Sequence, residues 1–263
     1  MKKVTAFLMI TTFLAVTMLS NAQIVGLNNW VESGGDADNV FIGNGTAGFS
    51  QSVTTETDGN FAIGAFASFT SDVTLGVNET LQMDLTVSSI TINNAQNNVG
   101  FRIGFENDNT GSDDDATLHY LLSTGGGVIG RFAGNSNQAN EFSSGTAFDS
   151  INYTGATSID TGNTVNISVG LTNLGETGVG TGIYNYSASI NWDGISNTNV
   201  TPFTRNTNVW DKVYVLTNAG TSFGIDGDAY TVSGVQVQVV PEPSTFALLG
   251  LGMGALCLVR RRR

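Results

Sequence analysis

Leu81-Gln82-Met83-Asp84-Leu85-Thr86-Val87 carries an apolar side chain at every odd position and a polar one between each pair. A pleated strand turns that alternation into one apolar face and one wet face, because successive side chains leave the backbone on opposite sides. A helix of about 3.6 residues per turn would spread the same residues around its circumference. The spacing recurs in Phe61–Phe69 (FAIGAFASF) and Val165–Leu171 (VNISVGL). It predicts further strands over 99–106, 117–123, 127–132, 182–192, 211–217 and 229–239, the last interrupted by Gly234. No stretch of helical period is long enough to demand a helix.

Composition agrees with this pattern. The 263 residues include 33 Gly, 32 Thr and 27 Asn, which favour turns, strands and an uncharged polar surface. Hydrophobic residues make up 40%, too many for a disordered chain. Ten Lys+Arg against 22 Asp+Glu leave a formal charge of −12, so no surface can neutralise a run of phosphates and nucleic acid is excluded as a partner. A dozen or so short strands joined by Gly/Asn/Asp turns, without a Pro- or Ser-rich seam, predict one all-β domain, an antiparallel two-sheet sandwich.

Both termini depart from the pattern. Lys2 and Lys3 precede an apolar run from Val4 to Leu19, and Ser20-Asn21-Ala22 supplies a small-residue exit, the arrangement of a cleavable secretory signal peptide over residues 1–22. The mature domain is expected to span 23–239 and to be exported. At the other end, residues 240–263 contain Pro241-Glu242-Pro243, an apolar stretch from Phe246 to Val259, and Arg260, Arg261, Arg262 and Arg263. The prolines cannot donate backbone hydrogen bonds and favour an extended peptide, whereas the apolar stretch can enter lipid as a single transmembrane helix. Its 14 residues reach only about 21 Å, short of a ~30 Å bilayer core, so the anchor is weak and the arginines stay on the cytoplasmic side.

Residues 240–263 resemble the PEP-CTERM sorting signal, with the Pro-Glu-Pro box, membrane segment and Arg cluster in order. The resemblance implies export, transient tethering to the membrane, and recognition of Pro241, Glu242 and Pro243 by an exosortase in a Gram-negative bacterium that makes exopolysaccharide. Signal peptidase and exosortase are then the partners during export, and extracellular polysaccharide the expected partner at the cell envelope or beyond it. Without the two ends, 23–240 keeps Arg102, Arg131, Arg205 and Lys212 against 21 acids, a net −17. Such a surface repels anionic lipid and anionic glycan unless divalent cations bridge them. The one cysteine, Cys257, lies in the tail, so no disulfide supports the exported domain.

Three segments, 97–106 (NNVGFRIGFE), 183–192 (IYNYSASINW) with Asp193-Gly194, and 213–239, are similar in order to concanavalin A-like, laminin-G-type jelly rolls. That likeness implies an architecture and a leaning towards glycan or surface binding, with no residue carried over.

Catalytic chemistry is sparse. The single histidine, His119, has no nucleophile elbow to serve, and zinc would need several His or Cys. A glycosidase needs only two carboxylates, which brings Glu106 and Asp108 into view, but the pattern E-x-D-x-x-E is missing and Glu106 ends a strand. The expectation is a protein without catalytic residues, structural, adhesive or glycan-binding. A secreted carbohydrate-active enzyme on the same fold and a calcium-dependent lectin-like module are its rivals. Calcium is the one cofactor the residues suggest: Asp108 with Asp113, Asp114 and Asp115, and the turn Asp226-Gly227-Asp228, offer oxygen ligands on loops, although neither follows EF-hand spacing. Trp192, beside the hairpin signal Asp193-Gly194, is the first aromatic expected to stack on a sugar.

Overall fold

The structure, a computed structural model, describes residues 22–33, 39–53, 64–92, 98–107, 117–124, 127–134, 149–152, 157, 159–198, 202–217 and 227–241. Sixteen strands lie in these residues, and among them there is no helix. They are β1 (Gln23–Val25), β2 (Val31–Ser33), β3 (Asn39–Gly43), β4 (Phe49–Val53), β5 (Gly64–Thr74), β6 (Glu79–Thr91), β7 (Asn98–Glu106) and β8 (Thr117–Thr124). Then follow β9 (Gly127–Gly134), β10 (Asp149–Asn152), β11 (Val165–Glu176), β12 (Tyr184–Trp192), β13 (Ile195–Thr198), β14 (Phe203–Arg205), β15 (Val209–Thr217) and β16 (Ala229–Pro241).

Two sheets result. The first runs β13-β12-β11-β6-β16-β4-β3, with β1 beside β16 and β14 beside β12; the second runs β10-β9-β8-β7-β15-β5-β2. Every pairing is antiparallel. The register explains the stability of the centre: Met83 faces both Val169 on β11 and Val237 on β16, and all three are buried. Phe101, Ile103 and Phe105 of β7 and Val213 and Val215 of β15 meet them from the opposite sheet in one core. Burial of a side chain of this size contributes ~1.5–3 kcal/mol, which is how a domain without a disulfide holds together. The two-sheet sandwich expected from the alternation is the one observed.

All nine predicted stretches coincide with strands, with 61–63 of Phe61–Phe69 lying outside the described residues. The strands not anticipated are β1, β2, β3, β4, β10, β13 and β14, of three to five residues each. Gly234 does interrupt its strand: it sits at φ +63° where the register between β16 and β6 slips from Ser233 to Gln236. The bulge divides the other edge of β16 between two partners. β4 pairs with Ala229–Val232 and β1 with Val237–Val239. Asp193 and Gly194, at φ 49° and 87°, close the β12–β13 hairpin as the dipeptide requires.

The strands run between two ends of the sandwich. β6 begins where β16 finishes, with Glu79 opposite Pro241. The last residues of β11, the first of β12 and of β15, and the last of β7 lie at this same end. It is the end from which the chain continues into 242–263.

Candidate functional site

The two outer faces differ in kind. On the first sheet the outward positions form cross-strand rows of amide and hydroxyl groups. Ser189, Gly170, Gln82 and Gln238 make one row, and Asn191, Ser168, Asp84 and Gln236 the next. A further row pairs Asn166, Thr86 and Ser233. Hydrogen bonds tie the rows laterally: Thr80 and Thr172 share one at 2.7 Å, the Thr86 hydroxyl donates to Asn166 Oδ1 at 2.9 Å, and Gln82 Nε2 donates to Asp84 Oδ1 at 3.0 Å. None of these side chains is fully buried, and Asp84 is the one charge among them. Gly170 is buried beneath the Ser189 hydroxyl, which lies where a Cβ would stand. The result is an open, nearly neutral surface of donors and acceptors, suited to hydroxyl-rich polymers.

On the second sheet the outward positions of β15 hold Lys212, Tyr214 and Leu216, beside Phe66 on β5 and Arg102 and Glu106 on β7. This face is covered. Tyr214 is 1% exposed, Arg102 2%, Leu216 4% and Lys212 9%. Lys212 Nζ lies 3.7 Å from Glu106 Oε2 and 5.0 Å from the centroid of Phe66. An ammonium held between a carboxylate and a ring supports the sheet locally rather than offering a charge to solvent. Glu106, the carboxylate considered for glycoside hydrolysis, is therefore held by Lys212 at the end of β7. The signal for this cluster was present in Lys212-Val213-Tyr214-Val215-Leu216, whose outward positions depart from the Thr/Ser/Asn habit of the other strands.

A buried polar chain links the sheets. Tyr230 Oη donates to Gln51 Oε1 at 3.1 Å, and Gln51 Nε2 donates to Glu32 Oε1 at 3.4 Å. Burial, reinforced by the negative charge of Glu32, holds the Tyr230 phenol well above its ordinary range.

Trp192 belongs to the core. It is fully buried, and its indole nitrogen donates to the Thr157 carbonyl at 2.9 Å. This corrects the expectation that it stacks on a sugar, because neither ring face is open. Its parity decides the matter: Tyr186, Ala188, Ile190 and Trp192 all point inward from β12. Trp30 and Trp210 are buried as well.

Of the proposed calcium ligands, Asp108, Asp113, Asp114, Asp115 and Asp226 lie outside the described residues. Asp228 is fully buried, and its carbonyl accepts from Val53 N at 2.9 Å. Among the described residues no group of three or more His, Cys, Asp or Glu is placed to hold a metal.

Of the sorting box, Pro241 is the last residue of β16, while Glu242, Pro243 and Arg260, Arg261, Arg262 and Arg263 lie outside the described residues. No helix among the described residues is long and apolar enough to cross a membrane.

No curated protein matches the chain in sequence. Several solved structures align with most of its length. An endo-1,3-β-glucanase from Streptomyces sioyaensis is 13% identical with a TM-score of 0.47, covering 85% of this chain and 94% of its own. A lectin from Bauhinia forficata is 10% identical with a TM-score of 0.40, covering 82% and 99%. An alginate lyase from Chlorella virus is 11% identical with a TM-score of 0.42, covering 86% and 96%. Residues 239–263 match the PEP-CTERM protein-sorting motif, so the chain carries that exported-protein signal directly on the end of its last strand.

Proposed function

We propose that this is a non-enzymatic protein of the cell envelope or extracellular matrix, released from a signal peptide after Ala22, held by a transmembrane helix in the tail, and processed by an exosortase. The observation that carries the reading is the sorting motif over 239–263. Because β16 continues to Pro241, processing that preserves the sheet cuts beyond that residue. Mass determination of the protein from membrane and extracellular fractions of a strain with its sorting enzyme tests this. Termini at Gln23 and near Pro243 in the extracellular fraction are expected. An intact Arg263 terminus confined to the membrane would remove the processing step.

The work of the domain is structural or adhesive contact with polysaccharide through the first sheet's amide and hydroxyl rows. The support is their openness and near neutrality, which suit sugar hydroxyls where a net −17 surface disfavours anionic polymers. Gel electrophoresis through neutral exopolysaccharide should retard the protein. Gln236→Ala with Gln238→Ala, outward positions of β16, should weaken the retardation while leaving the melting temperature nearly unchanged, and retardation equal to the parent's would relocate the contact.

A further inference from the structure

The exposed large hydrophobic side chains of the described residues are not scattered evenly. Of eight, Ile24, Val31, Val40 and Ile42 lie on the short strands β1, β2 and β3, and the other four gather at one end of the sandwich: Val77 (63% exposed) in the turn before β6, Leu174 (40%) near the end of β11, and Val179 (106%) and Ile183 (38%) in the connection that follows it. Val77 lies in the turn before β6 and approaches Gly175, where a Cβ would sit 3.6 Å from its Cγ1; Leu174 is the adjacent residue of β11. Asn78 N donates to the Asn173 carbonyl at 2.6 Å, which fastens the two connections together. Val179 and Ile183 follow in the β11–β12 connection, closed by Thr177 N donating to the Ile183 carbonyl at 2.8 Å.

Two acids of this rim bond back onto their own turns. Glu79 Oε2 accepts from Gly76 N at 2.7 Å, and Glu176 accepts from Gly180 N at 2.8 Å and Gly182 N at 3.3 Å. The N–H groups of Gly76, Gly180 and Gly182 are thereby satisfied within the turns, beside the exposed Val77 and Val179.

This is also the end from which the tail departs, since Pro241 pairs with Glu79, two residues from Val77. Four residues, Glu242 to Thr245, separate Pro241 from the apolar stretch beginning at Phe246, and the five steps from Pro241 to Phe246 span at most about 18 Å. A tether so short holds this end of the domain against whatever surface the tail enters.

We propose that the rim of Val77, Leu174, Val179 and Ile183 rests in the interfacial layer of a lipid bilayer while the tail is attached, and is released into water when the tail is removed. The inference relies on the tail entering the membrane. Apolar contact is the attraction, because the acidic domain is repelled by anionic lipid. Exposed apolar clusters at such a rim mark an interaction surface, whereas lone exposed valines do not.

The full chain in phosphatidylcholine vesicles, carrying an environment-sensitive fluorophore on one cysteine at a time, tests both steps. The native Cys257 reports the tail. Val179→Cys and Thr164→Cys, each with Cys257→Ser, report the rim and the opposite end. On binding to the vesicles the Val179→Cys probe should shift to the blue, and nitroxide lipids labelled near the headgroup should quench it, while the Thr164→Cys probe stays as it is in water. Quenching at Cys257 without quenching at position 179 overturns the rim proposal and leaves the tail reading standing. No quenching at Cys257 overturns the tail reading, and the rim proposal with it. Equal quenching at 164 and 179 also overturns it, since the domain would then lie on its side.

Discussion

Trp192 shows how much one side chain's direction decides. Its neighbours Asp193-Gly194 mark a hairpin, and a tryptophan beside a hairpin can be a platform or an anchor. The sequence suggests a platform; the structure makes it an anchor at 0% exposure, on the inward parity of Tyr186. Trp192→Ala should therefore destabilise the domain by ~3–5 kcal/mol in a denaturant titration, with Trp192→Phe costing less. A change within experimental error would return the residue to the surface. Tyr230 makes a second residue-scale case. Its phenol is held protonated in the folded state above the value of about 10 that it has when exposed. The unfolded chain therefore loses this proton first as pH rises, so the stability linked to it is complete below about pH 10 and declines above it. Tyr230→Phe should be somewhat less stable at pH 7, by about 1 kcal/mol for the hydrogen bond to Gln51. It should lose less stability than the parent between pH 10 and 12. Parallel alkaline melting curves would assign the loss to another group.

Among the elements, the long strands were legible and the short ones were not. Seven or more residues display alternation several times over, whereas three residues such as Val31-Glu32-Ser33 display it once, which any sequence does by chance. β1, β2 and β14 exist because a neighbouring strand offers them an edge, a fact absent from their own residues. The glycines of β16 and its neighbours were half legible. Gly234 announced an interruption, but its use in dividing one edge of β16 between β4 and β1 needed the pairing to be seen. Two substitutions separate local strain from close approach. Gly194→Ala, at φ 87° with nothing within 4 Å of its Cβ, should cost ~1–2 kcal/mol. Gly48→Ala should cost more, because its Cβ would meet the backbone carbonyl of Val232. Paired thermal melts that reverse this order would mean that β16 can yield at Val232.

For the whole molecule, the junction of domain and tail is the consequential feature. β16 lies between β6 on one side and β4 and β1 on the other, and Val237 and Val239 are buried in the shared core. A mature chain ending at Pro241 should melt with one ending at Thr245. A chain ending at Gln236 loses two buried valines and the pairing with β1, and should be several kcal/mol less stable or fail to fold. If all three melt together, the end of β16 is not part of the cooperative unit.

The linear order of residues was enough to establish an all-β fold, its acidity, its want of a disulfide, and the sorting motif at its C-terminal end. Those properties depend on period, composition and local motifs, which a chain carries wherever it folds. Tertiary structure alone decided which strands share a sheet, that the three tryptophans are core, that Lys212 is held by Glu106, and that the apolar turns adjoin the exit of the tail. Each of these rests on pairings between residues far apart in sequence, and no short-range pattern specifies its distant partner.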